Sequence, residues 1–423
     1  TGNRGRILCC WWNQTRHEKE CFQWFQVVMF HQLRKTHPYE IQIELSDYCN
    51  SKCPICTRYI EGRIGLTPAP SVNKNQISYE DFRKWFPRWF IRDRLFKMRF
   101  NGQVGESSLC DDLHEIVDYI AHTNSNLEFL SLTTNGGTRN PEWWYKLGTL
   151  MKKMRWGEVI FAIDGLADTH GLYRVGVDWH KVTENARSYI AGGGRAQWRM
   201  LTFKHNEHQV DDCRKLSEEW GFNSFTIRPT AGFNNNRFFR YVYNNKRYVL
   251  EPPTDVEYVM KVSEPITPTD ILCYAVEDYE NRYTGFVNRL TIDTRGVVHP
   301  CCFFANECRK VYHRFYETGK ACEPCGATNL AMAIGTGRRT NMYLNAVANL
   351  IEKQGGIESV SLYHNNFTKI MNSPLYTGEL EKSWEKAMHG DDYSVCGYMC
   401  AKEHIDIEGY RMGSDRTDFG VIQ

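Results

Sequence analysis

No apolar run in this 423-residue sequence approaches the roughly 20 residues a membrane-spanning helix needs, so no membrane partner is expected. Net charge is nearly absent as well. Fifty-two Lys and Arg against 50 Asp and Glu leave +2, which gives no electrostatic case for nucleic acid or an anionic surface. Thr1–Glu20 is polar and lacks the apolar stretch and cleavage site of a secretory signal. It opens without Met, as expected of a start that is missing or processed. There is no low-complexity tract, and the only internal repeat is an alternation of strand and helix. Cysteine, by contrast, is plentiful, with 16 residues. Disulfide scaffolds are short, so clustered cysteines in a long chain read as metal ligands in a reducing compartment, the cytoplasm. With 42% hydrophobic and 13% aromatic residues the core is well supplied. The length fits two or three domains, or one large α/β domain with an appendage.

The densest signal is Cys49-Asn50-Ser51-Lys52-Cys53-Pro54-Ile55-Cys56. Three thiols at C-x3-C-x2-C spacing follow the strand-like run Tyr39–Ser46 on one short loop. A cubane iron–sulfur cluster takes thiolate ligands, normally four. Three from one loop leave one iron open to chelate the amino and carboxylate groups of S-adenosylmethionine (SAM), a source of radical chemistry. Zinc is the other metal reading. Structural zinc wants four ligands, commonly as paired C-x2-C units, and no His or Cys follows within the next ten residues.

Strand-like runs at Tyr39–Ser46, Leu95–Asn101, Leu127–Thr133, Glu158–Asp164, Ala196–Lys204 and Phe222–Arg228 alternate with helical ones. In one helix Leu109, Leu113, Ile116, Val117 and Ile120 share a face, with Ser108 placed to cap it. Another is Val210–Trp220, opened by Asn206 with Gln209 three residues later. Six βα units with near-continuous apolar strands imply a parallel sheet under helices, and six rather than eight imply a partial, open barrel. Chemistry in such barrels sits at the C-terminal ends of the strands.

The motifs fall at those ends. Asn101-Gly102-Gln103-Val104-Gly105-Glu106 follows the second strand, and Thr133-Thr134-Asn135-Gly136-Gly137 the third. Phe161-Ala162-Ile163-Asp164-Gly165 follows the fourth, trailed by His170, Tyr173, Arg174, Gly176, Val182 and Asn185. His205-Asn206-Glu207-His208 follows the fifth and reads as a helix start with Asn206 capping rather than as a metal pair. Asp164 reads equally as a buried cap of the next helix. Gly192–Gly194 precedes a strand and reads as a helix-ending turn.

Farther on, Phe286–Asp293 and Val297–Phe304 flank Thr294-Arg295-Gly296 as a hairpin. Cys273, Gly296-x4-Cys301, and Cys396-Gly397-Tyr398-Met399-Cys400 form a second cysteine field, and Cys302, Cys308, Cys322 and Cys325 lie beside it. Cys9, Cys10, Cys21, Cys110 and Cys213 read as core or surface thiols.

In this order of motifs the chain resembles the radical SAM superfamily, and within it the SPASM and twitch branch of peptide- and sulfatase-maturing enzymes. The resemblance covers about Tyr39 to Lys402. It departs at Ile55, where an aromatic is usual, at Val104 for a glycine, and at Ala162 for a serine. It implies a partial (β/α)6 barrel with a small C-terminal cysteine-rich α+β domain of the twitch or SPASM kind. The implied layout is an N-terminal helical extension (1–38), with a helix over Cys21–Leu33, then the barrel (39–230), a linker (231–270) and the auxiliary domain (271–423). The resemblance also implies a [4Fe-4S] cluster on Cys49, Cys53 and Cys56. SAM would be held by Gly105, Glu106, Thr134, Asn135, Asp164, Arg174 and Asn206. One auxiliary [4Fe-4S] cluster would sit on Cys273, Cys301, Cys396 and Cys400, with room for a second. The implied activity is reductive cleavage of SAM to a 5′-deoxyadenosyl radical that abstracts hydrogen from a peptide or protein. The electron would come from an external carrier of the flavodoxin or ferredoxin type. A small molecule or nucleotide is the alternative substrate, and a non-catalytic zinc protein the alternative class.

Overall fold

The computed structural model describes residues 39–56, 58–59, 72, 74–123, 127–228, 238–244, 246–255, 288–302, 304–305, 350–351 and 353–380. Six strands run parallel in chain order, β1 (Tyr39–Ile43), β2 (Leu95–Phe100), β3 (Phe129–Thr134), β4 (Gly157–Ala162), β5 (Arg195–Leu201) and β6 (Ser224–Arg228). Parallel neighbours need crossovers, and helices supply them. These are α1 (Tyr79–Trp85), α2 (Arg88–Asp93), α3 (Leu113–Ala121), α4 (Pro141–Met151), α5 (His170–Tyr173), α6 (Trp179–Ala191) and α7 (Val210–Glu219). The open (β/α)6 architecture agrees with the sequence expectation.

Local chemistry sets the helix starts. Ser78 accepts from the Asp81 amide at 3.1 Å to open α1. Asn140 accepts from the Trp143 amide at 2.9 Å to open α4, with Pro141 in the first turn where its missing N–H costs nothing. Asp178 accepts from the His180 amide at 3.0 Å to open α6, and Gly192 caps its far end as the glycine run implies. Two expected caps are absent. Ser108 does not cap a helix, because α3 begins only at Leu113 after Asp112, and Ser108 instead turns its amide and hydroxyl onto Glu106. Nor do Asn206 and Gln209 form a box at α7. Asn206 makes no cap bond, and Gln209 turns back to Leu166, Asp168 and Thr169. Tertiary partners outbid the local ones in both cases.

The strands present two different faces. Ile41, Ile43, Met98, Phe100, Leu130, Leu132, Val159, Phe161, Trp198 and Met200 join helix residues in one apolar core. The alternate residues include Glu40, Arg99, Ser131, Glu158 and Gln197, polar yet buried.

β9 (Asn288–Ile292) adds to the sheet parallel to β1, and β10 (Val298–His299) pairs antiparallel to β9 across the expected turn, where Gly296 has φ +69°. The eight-stranded order is β10-β9-β1-β2-β3-β4-β5-β6, so the region expected to form an auxiliary domain begins inside the barrel sheet. The segment expected as a linker carries a hairpin, β7 (Phe239–Tyr243) and β8 (Lys246–Leu250), turning at Asn244 with φ +50°. Its alternating Phe239, Tyr241, Tyr243 and Tyr248, Leu250 were the missed signal. Past α8 (Phe367–Met371), Tyr376 donates to Val298 O at 2.8 Å and ties this region back to β10. Among the described residues no helix is long and apolar enough to cross a membrane. The expected N-terminal helix lies outside the described residues.

Candidate active site

β1 delivers the cysteine loop, and the end of β2 clamps it. Glu44 Oε1 accepts from the Val104 amide at 2.9 Å, and the Glu106 amide donates to Tyr48 O at 2.7 Å. Arg58 Nη1 donates to Val104 O at 2.7 Å and also to Asp47 O. The two segments touch so closely that a Cβ on Gly105 would lie 1.8 Å from Ser46 O. The glycine thus serves a backbone-to-backbone contact. Within the loop, the Cys56 amide donates to Cys53 O at 3.1 Å, and Tyr59 OH to Ser51 O at 2.9 Å.

Each sulfur meets a different neighbour. Asn135 Nδ2 lies 3.9 Å from Cys49 Sγ and donates to Asn50 Oδ1 at 2.8 Å. Arg174 Nη1 lies 3.7 Å from Cys53 Sγ, and Ser51 Oγ lies 3.0 Å from it. The Arg58 amide donates to Cys56 Sγ at 3.4 Å. All three thiols are free of disulfides. Burial, reinforced by the charges of Glu106 and Cys53, pushes Cys49 up to about 12. Burial and Cys53 push Cys56 up to about 11. The bare Cys49 and Cys56 thiols are therefore protonated at neutral pH, and a bound metal would displace those protons. Among the described residues no group of three or more His, Cys, Asp or Glu is gathered as a metal cage. The donor chemistry nonetheless fits an iron–sulfur group. Three uncommitted thiols share one loop, and N–H donors and a guanidinium beside the sulfurs are the levers by which proteins tune such clusters.

The remaining predicted residues come together around this loop, largely bonded to one another. Glu106 takes four donors: Ser108 N at 3.1 Å, Ser108 Oγ at 2.7 Å, Thr134 Oγ1 at 2.6 Å and Asn135 N at 2.7 Å. Three of these donors fall on Oε1 and one on Oε2, and together they fasten the end of β3 to the end of β2. Gly136, at φ +68°, completes that turn.

Asp164 does not cap α5, whose N-cap is Thr169. Its Oδ2 accepts from Arg174 Nε at 2.6 Å and its Oδ1 from the Leu201 amide at 2.7 Å. Burial raises the Asp164 carboxyl even though Arg174 opposes it. Burial would lower Arg174, but the charges of Asp164 and Cys53 outweigh it and raise the guanidinium further. His170 Nδ1 accepts from the Asp164 amide at 3.1 Å, and burial with the Arg174 charge holds this imidazole down to about 3, so its proton sits on Nε2. Asn206 accepts from Phe203 N at 2.7 Å and donates to Asp164 O at 3.2 Å and Leu201 O at 3.0 Å. It locks the ends of β4 and β5 together.

Sequence reasoning missed Arg58, Asn50 and the β7–β8 hairpin. Asn50 stood inside the quoted motif and Arg58 two residues beyond it. Tyr241 and Leu250 of the hairpin are buried in one cluster with Cys53, Tyr59, Tyr173 and Phe203, so the hairpin packs on the cysteine loop.

In the second field, Cys301 Sγ accepts from the Phe304 amide at 3.4 Å, and Cys302 is buried. Val298 stands opposite Ile292 and His299 opposite Thr291, so the chain runs back from the mouth as it approaches Cys301. Cys273, Cys396 and Cys400 lie outside the described residues, as do Cys308, Cys322 and Cys325.

No family model matches the chain, and no curated protein matches it. Among solved structures it is similar to anSMEcpe with bound AdoMet and a Cp18Cys peptide, at 20% identity over 45% of this chain and 50% of that one, with a TM-score of 0.35. It is similar to Streptococcus suis SuiB bound to S-adenosylmethionine, at 14% identity over 67% and 68% with a TM-score of 0.41. It is similar to methylornithine synthase, at 11% identity over 54% and 65% with a TM-score of 0.35. The match thus spans about half the length of anSMEcpe. The chain's own residues make an open six-unit βα sheet with three free thiols on the loop after its first strand.

Proposed function

We propose that this chain is a radical SAM enzyme that modifies a peptide or protein side chain. The observation that supports it most is convergence. The thiols of one loop are approached by Asn135 from the end of β3 and by Arg174 from the end of α5, while the end of β2 holds the loop in place. A structural metal knuckle has no need of such a surround. Cys49, Cys53 and Cys56 would hold a [4Fe-4S] cluster, and Cys301 with Cys273, Cys396 and Cys400 an auxiliary one. When bound, the first cluster would supply one electron to SAM, and its reductive cleavage would supply the radical chemistry that takes a hydrogen atom from the substrate.

The residues have distinct tasks. Gly105 and Arg58 fix the loop. Asn135 and Arg174 sit beside sulfurs, where a donor and a positive charge would offset the negative charge of a thiolate-bound cluster. Asp164 holds Arg174 by its Nε, leaving Nη1 turned to Cys53. The 101–106 and 134–137 turns, with Gly105, Glu106, Thr134 and Asn135, would take part in holding SAM. A peptide is favoured over a small molecule by the branch that the motifs resemble.

The test is anaerobic iron and sulfide quantitation with electron paramagnetic resonance, with and without SAM, on the wild type and on Cys49/Cys53/Cys56→Ala. The reading expects a loss of about four irons in the variant and a SAM-dependent spectrum in the wild type. Zinc in place of iron sinks it.

A further inference from the structure

Resting on that reading, the structure also offers a place for the electron to enter. From Pro229 to Leu250 the sequence holds Arg237, Arg240, Lys246 and Arg247 and no Asp or Glu, so these 22 residues carry +4 in a chain whose total is +2. The hairpin sorts its side chains by alternation. Tyr241 and Leu250 are buried against the cluster of residues around Cys53, with Tyr241 stacked on Tyr248 at 5.1 Å. The opposite face pairs Arg240 with Val249 and Val242 with Arg247. Arg240, Arg247 and Val249 are exposed there, Val249 by 54%, and so is Phe238 at the edge, by 40%. The Arg240 guanidinium lies 4.1 Å from the Phe238 ring centroid. Exposed Lys52, from the cysteine loop itself, sets its ammonium 5.2 Å from the Tyr243 ring centroid and adds a charge at the margin.

We infer that the outer face of the β7–β8 hairpin is the docking surface for an acidic one-electron carrier protein. An apolar centre with a cationic rim suits a transient charged encounter, which gains its rate from complementarity rather than from area. The inner face of the same hairpin shares a buried, largely aromatic cluster with Cys53, so the outer face lies across the hairpin from the cysteine loop. An acidic substrate peptide fits the same charge less well. Its reacting atom must reach the barrel mouth, whereas an electron need only cross the hairpin. The transfer itself makes and breaks no bond: the reduced carrier loses one electron and the cluster gains it.

The experiment uses iron-loaded protein and a purified acidic flavodoxin, with the dissociation constant measured by calorimetry at low and high salt. Alongside it, SAM cleavage is driven either by reduced flavodoxin or by dithionite. Arg240→Glu with Arg247→Glu should weaken binding by about tenfold and flatten its salt dependence. Flavodoxin-driven cleavage should fall with it, while iron content and dithionite-driven cleavage hold. Val249→Asp, which leaves the cations in place, should weaken binding and keep the salt dependence. Unchanged flavodoxin binding in both variants overturns the proposal, as does a hairpin that binds acidic peptide and not flavodoxin. If dithionite drives no cleavage even in the wild type, the radical SAM reading fails instead, and calorimetry still reads the docking face independently.

Discussion

β1 shows two kinds of interior on alternate residues. Ile41, Ile43 and Leu45 enter the apolar core under the helices. Glu40 points the other way and is just as hidden, between Arg99 Nε on β2 at 2.9 Å and Arg289 Nε on β9 at 3.3 Å. The first face is held by area removed from water, a non-directional force that tolerates exchange of one hydrocarbon for another. The second buries charge, which is costly unless partners are placed closely, and is a weak way to gain stability. Its payoff is registry. One carboxylate fixes β1 against both neighbours, and β1 carries the cysteine loop. The apolar face makes the sheet, and the ionic face aims its first strand.

The largest effect should come from the apolar face. Trp198 is fully buried, its ring 5.9 Å from Trp220 and 5.5 Å from Phe222, with Nε1 donating to Ile163 O at 2.9 Å. Trp198→Ala should cost about 3–5 kcal/mol in denaturant unfolding, with no dependence on pH. A loss under about 1 kcal/mol would break the comparison on that side.

The ionic face should lose nearly as much, in a way that pH exposes. Burial would raise Glu40, but the charges of Arg289, Arg99 and Lys97 outweigh it and bring the carboxyl from its usual 4.5 down to about 2. A group depressed in the folded state stabilises fully above its unfolded value. That contribution, about 3 kcal/mol, is therefore present above about pH 4.5 and drains away as pH falls toward 2. Glu40→Gln should remove it at neutral pH and flatten stability across that acid window. Equal acid sensitivity in wild type and variant would show the ionic face to be energetically silent.

Third in size is the contact that joins sheet to site. A Cβ on Gly105 meets the Ser46 carbonyl oxygen at 1.8 Å and the Asp47 Cα at 2.6 Å, and backbone cannot swing aside as a side chain can. Gly105→Ala should cost about 1–3 kcal/mol. Unlike the Trp198 change, it should also lower iron retention in the folded protein, read by metal content after gel filtration.

How far this was legible in the sequence follows the same division. Near-continuous apolar runs announced β1 to β6, because burial beneath helices leaves a compositional trace, and the turn at Thr294–Gly296 announced β9 and β10. The motifs brought Cys49, Asn135, Asp164 and Arg174 to one mouth because each follows a strand of one parallel sheet. What the sequence did not disclose was who bonds whom. Asp164 and Arg174 stand ten residues apart, and nothing local says that they pair with each other. Ser108 and Asn206 looked like caps because local rules favour caps, yet Glu106 and Asp164 offered tertiary partners. The β7–β8 hairpin hid in a stretch whose asparagines and prolines read as a linker.

The smallest effect sharpens the comparison most, because it uses one residue type on both sides. Cys110 and Cys213 are fully buried in the apolar core, and burial pushes each thiol up to about 12, as it does for Cys49. Cys110 donates only a long bond to Ile77 O at 3.6 Å. By acidity these thiols resemble Cys49, and they differ in being fully buried beneath helices rather than half-buried at the strand ends. Cys110→Ala and Cys213→Ala should each cost about 1 kcal/mol and leave iron content and the SAM-dependent spectrum as in the wild type. Cys49→Ala should do the reverse, with little change in unfolding and loss of iron. If removing Cys110 or Cys213 also empties the protein of iron, position at the mouth is not what selects a ligand, and the division between the two faces fails at its finest grain.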